Sequence, residues 1–161
     1  MPKLRLFSLA LVLLLSSSVF ADEAIAEIRA AYQQTYKAAQ MKFYYGMYSH
    51  RSADFQAFDV DGIEVDPQAE LEASQRILKT ALEINEKGSV NSYSYLPDGK
   101  IECDVTDVIE AVTVDGAIPI SKQKTIIKTH SLDTWVSTKH GWKLQKSHLL
   151  EQSIIHQPLK P

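Results

Sequence analysis

From Ser89 onward the chain keeps a two-residue hydrophobic period, and this constrains its fold more than any other feature. "SVNSYSYLP", "KIECDVTDVIEAVTV", "AIPISKQKTIIKTHSLDTWVST" and "GWKLQKSHLLEQSIIH" each alternate as strands do. Asp98-Gly99, Asp115-Gly116 and Gly141 punctuate them. Long strands joined by such short turns make a strongly twisted antiparallel meander. A sheet of that kind must bury one face, so the residues ahead of it have to supply the cover.

They read as helices. In "DEAIAEIRAAYQQTYKAAQMKFYYGMYS", Ile25, Ile28, Tyr32, Thr35, Tyr36, Ala39 and Phe43 follow at steps of three or four and share one face. Asp22 and Glu23 stand at the expected start, where the helix dipole favours negative charge. "DFQAFDVDG" predicts a short strand running into an Asp61-Gly62 turn. "IEVDPQAELEASQRILKTALEINEKG" then predicts a short return strand and a second helix. Asp66 caps that helix, Pro67 suits its first position, and Lys87 with Gly88 closes it. Helices first and strands last define an α+β domain with helices packed on one face of the sheet.

The first residues, "MPKLRLFSLALVLLLSSSVFADEA", have the grammar of a secretory signal peptide. Lys3 and Arg5 form the positive region, Leu6 to Leu15 the apolar one, and Val19-Phe20-Ala21 places small residues at −3 and −1. The apolar run stops at Ser16, short of the roughly 20 residues a spanning helix needs. Residues 1–21 are therefore expected to be cleaved after Ala21, leaving a periplasmic or secreted domain over 22–161 with no membrane attachment. That length suits a single domain. With 45% hydrophobic and 23% charged residues it can build a core. A net charge of −3 offers no basic footprint for nucleic acid. The single cysteine, Cys103, cannot form an internal disulfide and sits in an alternating run, so it is expected to be buried.

This order of elements resembles the nuclear transport factor 2-like superfamily, and within it the SnoaL-like branch. The resemblance spans the whole chain after the leader, and its most specific piece is "DTWVSTKHGWKLQKSHLL". There a turn glycine precedes Trp142-Lys143-Leu144, and His148 follows six places after Trp142. The resemblance implies a cone: a curved antiparallel sheet wrapped around N-terminal helices to leave a pocket. It also implies a homodimer through the sheet, and activities in some members as isomerases, dehydratases or hydrolases.

Candidate chemistry follows from strand parity. Trp142, Leu144, Lys146 and His148 share one face of the last strand, so His148 is a candidate general acid or base. Its partner would be Asp133 or Asp107. Asp107 falls with the apolar set of its strand, unlike the solvated Glu102, Asp104 and Glu110. The hairpin register decides the matter. If facing residue numbers sum to 278, His148 meets His130; if to 279, Asp133 stands beside Lys146 and Trp135 beside Leu144. Tyr36, Phe43, Tyr44, Tyr48, Trp135 and Trp142 are the candidate lining of a ligand pocket. His140, His148 and His156 recur every eight residues, about 26 Å along a strand, which is too far to share one metal. No metal, cofactor or phosphate-binding motif is expected. The reading is an exported cone that binds a small apolar or aromatic molecule. The alternatives are a lyase or isomerase using a His/Asp pair, and a structural dimer with a filled cone.

Overall fold

The computed structural model describes residues 4–115 and 121–159. Its elements are α1 (Leu4–Gln40), α2 (Tyr44–Tyr48), β1 (Arg51–Phe58), α3 (Pro67–Thr80), β2 (Ala81–Tyr95), β3 (Ile101–Asp115), β4 (Ser121–Thr138) and β5 (Gly141–Leu159). The five strands form one curved, unclosed sheet in the order β1-β5-β4-β3-β2. β2 to β5 are the expected antiparallel meander. β1 differs: it lies at the edge, parallel to β5, which makes the sheet mixed. Gly116, of the expected Asp115-Gly116 turn, falls outside the described residues.

The core sits between α1 and the concave face of the sheet. Ile25, Ile28, Tyr32, Tyr36 and Ala39 are buried on the helix, as their spacing requires. Ile101, Cys103 and Val105, alternate residues of β3, are fully buried beneath them with Trp135 of β4. α1 extends back from Asp22 and Glu23 into the leader residues as far as Leu4.

α1 ends earlier than its apolar spacing implies. Lys42 adopts φ of 55°, its N–H donates to the Ala39 carbonyl at 2.9 Å, and the Phe43 N–H donates to Ala38 at 2.8 Å. This paired return is a Schellman stop with lysine in the glycine position. The stop turns Phe43 away from the face it shares by spacing, leaving it 55% exposed.

α3 starts as expected, with Pro67 first and the Asp66 carboxylate accepting from the Gln68 N–H at 2.9 Å. Its end differs from expectation. Ala81 is already extended (ψ 132°), and Lys87-Gly88 lies in the middle of β2 and closes no helix. The apolar residues Leu82 and Ile84 continue a helical spacing, but Ile84, Glu86, Gly88 and Val90 also alternate. Pairing with β3 selects the alternation. The return strand near Glu64 shrinks to one bridge with Phe58.

The last hairpin combines registers. Near the turn, Ser137 faces Trp142 and Trp135 faces Leu144, with numbers summing to 279. A bulge at Gln145 then shifts the sum to 280, so Asp133 faces Ser147 and Leu132 faces His148. Helix and hairpin are tied where the Trp142 N–H donates to the Glu27 carboxylate at 2.9 Å. Gly141 holds φ of 91°, and a Cβ there would strike that carboxylate. Gly141→Ala is expected to destabilise the protein by about 1–2 kcal/mol, read as a lower urea midpoint with an unchanged slope.

Candidate functional site

Between α1 and the sheet lies a cavity of about 140 Å³. α1 contributes Tyr32, Thr35 and Tyr36 to its wall, and the segment after α1 contributes Met47, His50 and Arg51. The sheet supplies Glu86 from β2, Asp107 from β3, Asp133 and Trp135 from β4, and Leu144 from β5. Wider grooves elsewhere open to solvent; in this cavity the buried ionisable groups converge.

Two tyrosines one helical turn apart reach down to two carboxyls on neighbouring strands. The Tyr32 hydroxyl donates to Asp133 Oδ2 at 2.6 Å and accepts from the Trp135 indole N–H at 3.0 Å. The Ser147 hydroxyl donates to Asp133 Oδ1 at 2.6 Å. Tyr36 donates to Asp107 Oδ1. Burial pushes the pKa of both tyrosines up, and the adjacent carboxylates push the same way.

The carboxyls are all displaced upward, burial being the first cause in each case. Asp107 rises to about 6, with the Asp133 charge adding and the Tyr36 hydrogen bond opposing. Asp133 rises too, its burial partly offset by the hydroxyls of Ser147, Tyr32 and Ser131. Glu86, only 9% exposed, is pushed up to about 7 by burial and by the Asp107 charge. No side-chain hydrogen bond or ion pair holds the Glu86 carboxyl among the described residues. His50 is held below its usual value by burial and by Lys143, and its Nε2 lies 2.9 Å from Gln34 Oε1.

Arg51 is the cation on this wall, and it is already engaged. Its guanidinium donates twice to Glu70, at 2.9 and 2.5 Å, and stacks on the rings of Tyr48 and Phe55 at 4.2 and 4.0 Å. Among the described residues no group of three or more His, Cys, Asp or Glu side chains has the arrangement of a metal site.

The candidate residues read from sequence divide accordingly. Asp133, Asp107, Tyr36 and Trp135 line the cavity. His148 does not: it is on the face of β5 opposite Ser147, packed edge-on against Phe58 with ring centres 6.3 Å apart. The His148–Asp133 pair is therefore not formed, and neither is the Asp133–Lys146 pair of the 279 register. The Gln145 bulge is the cause, because it rotates Lys146 and His148 outward and Ser147 inward. His130 also stays outside, bonded to Asp104 at 3.0 Å.

Phe43 is turned out by the helix stop. Tyr44 joins Lys42 and Leu78 around a surface groove, and Tyr48 donates to Ser74 Oγ at 2.7 Å. Trp142 packs against the core without reaching the cavity. Glu86 was hidden by the helical reading of its segment, and the alternation of Ile84, Glu86, Gly88 and Val90 was the available signal.

The architecture is a pocket-bearing α+β cone, that of the nuclear transport factor 2-like fold. No protein-family model and no curated protein matches the sequence. Solved structures do match. LinA superposes with a TM-score of 0.67 at 17% identity, over 89% of this chain and 94% of its own. A conserved protein from Planctomyces limnophilus gives 0.63 at 13% identity, over 87% and 99%. A putative scytalone dehydratase from Novosphingobium aromaticivorans gives 0.60 at 11% identity, over 91% and 92%. These likenesses establish the cone fold.

Glu86 makes stability depend on pH. A carboxyl raised above its unfolded value favours the folded state fully at pH below about 4, and this contribution fades as pH rises through about 7. Glu86→Gln is expected to remove that loss, gaining about 2 kcal/mol over wild type at pH 8 and little at pH 4. Urea denaturation at the two pH values checks this.

Proposed function

We propose that this chain is an exported small-molecule-binding domain, with the cavity beneath α1 as its site. The observation that carries the reading is the cavity itself. Apolar side chains (Met47, Trp135, Leu144) and hydrogen-bonding groups meet there around a space of about 140 Å³, the size that takes a guest such as benzene. The polar half of the wall narrows the expectation of an apolar or aromatic guest. A wholly apolar molecule would leave the Glu86 carboxyl buried without a partner, which is costly. The favoured guest has an apolar body and a polar head.

A second reading has its own support. Asp107 and Glu86, both displaced toward neutrality on one cavity wall, suit general acid–base chemistry near pH 6–7. One structural neighbour is named a dehydratase and another a hexachlorocyclohexane dehydrochlorinase. A lyase or isomerase reading therefore rests on Asp107 and Glu86, and His148 has no part in it. Export rests on the leader grammar of residues 1–21, and dimerisation on the exposed apolar end of the sheet at Val114, Ile154 and Ile155.

Trp142→Phe leaves Trp135 as the only tryptophan, a reporter on the cavity wall. Benzyl alcohol titrated into this variant is expected to change its fluorescence saturably in the millimolar range. Leu144→Phe, which fills the space, should abolish the change. A linear response, identical in both variants, rejects the binding reading.

A further inference from the structure

The guest's charge can be argued further, on the premise that the cavity is a small-molecule site. Three carboxyls line it: Glu86, Asp107 and Asp133. Asp133 is satisfied by Tyr32 and Ser147, and Asp107 accepts from Tyr36. Among the described residues Glu86 has no such partner, although it is 9% exposed and borders the cavity. Its oxygens keep a trace of exposure, so this largely buried carboxyl, with neither a protein donor nor a counter-charge, is left to the solvent or guest that reaches it.

No side chain on the wall answers it. Arg51 of β1 is neutralised by two hydrogen bonds to Glu70 and clamped between two rings. His50, held low by burial and by Lys143, is neutral at pH 7. From α1, Tyr36 acts on Glu86 and remains a protonated phenol, as does Tyr32 on the same cavity wall, and Gln40, which donates to the Glu86 backbone carbonyl, carries no charge. Among the described residues no lysine lines the cavity. The aromatic rings of Tyr32, Tyr36 and Trp135 border the same space, and ring faces attract cations.

We infer that the cavity takes a small cation, a protonated amine of about six heavy atoms, with its ammonium group on Glu86 and Asp107. A cation of this kind supplies the donors and the charge that Glu86 lacks. Its apolar stem would lie against Met47 and Leu144.

The experiment is calorimetric titration of the full folded chain with n-butylammonium, n-butanol and butyrate as matched probes. Butylammonium is expected to bind about tenfold or more tightly than butanol, with butyrate excluded. Its affinity should rise about tenfold between pH 5.5 and 8, as Asp107 and Glu86 ionise around 6 and 7; an alkylammonium stays charged throughout that range. Glu86→Gln should weaken butylammonium about tenfold and leave butanol unchanged. Asp107→Asn, which keeps an acceptor for Tyr36, should weaken butylammonium alone as well. Equal or tighter binding of butanol overturns the cationic assignment while leaving the pocket reading intact. So does butylammonium binding that is indifferent to both substitutions and to pH. Absence of binding by butylammonium overturns this inference; if benzyl alcohol also fails to saturate Trp135, the pocket reading falls with it.

Discussion

The structure depends on one fit: α1 lowers two tyrosine hydroxyls, a turn apart, onto carboxyls rising from two neighbouring strands. Tyr32 meets Asp133 and Tyr36 meets Asp107. Without those donors Asp107 would lose its hydroxyl partner, and Asp133 would keep only the serine hydroxyls beside a core of Ile28, Ile101 and Trp135. With them, the helix acquires a fixed rotation and a fixed position along the sheet, which apolar packing alone specifies less sharply. Gly88 shows how close the fit is. It stands opposite Asp107 in β2, and a Cβ there would overlap both the Asp107 carboxyl and the Tyr36 hydroxyl. The missing side chain makes room for the bond.

Because this contact sets where α1 lies, it also sets where the hollow is. The helix covers one end of the cavity, the segment from Met47 to Arg51 closes a second side, and the bent strands form the floor. Arg51 joins the two systems: its backbone pairs with Leu144 at the sheet edge while its side chain is anchored to Glu70 on α3. The parallel edge strand therefore brings α3 and the cavity wall into one framework.

Much of this was legible in the sequence, for identifiable reasons. The three-and-four spacing from Ile25 to Ala39 gave the buried face of α1, since nothing else uses those side chains. The alternation of Ile101, Cys103 and Val105 gave the floor, and Asp107, out of step with the solvated acids around it, proved to face inward. Phe43 was misplaced because a hydrophobic period carries no information about where the backbone stops, and the stop at Lys42 uses a residue type that does not announce one. Glu86 was missed because "ALEINEKG" fits both periods, and only pairing with β3 distinguishes them. The facing partner of Asp133 was undecidable for a similar reason: a bulge is a property of two strands together, and neither sequence records it alone.

The bulge at Gln145 has a wider implication. Were the ladder beyond Trp135 continuous, with Gln145 simply opposite Thr134, Lys146 would swing beneath the helix beside Asp133 and His148 would come in opposite Ser131. The acidic interior would gain an amine and an imidazole, with no change in composition. One surplus position in β5 thus separates two chemically different vessels within a single scaffold. Insertion or loss of one amino acid in such a hairpin is a shorter evolutionary path to new chemistry than replacing the lining residue by residue.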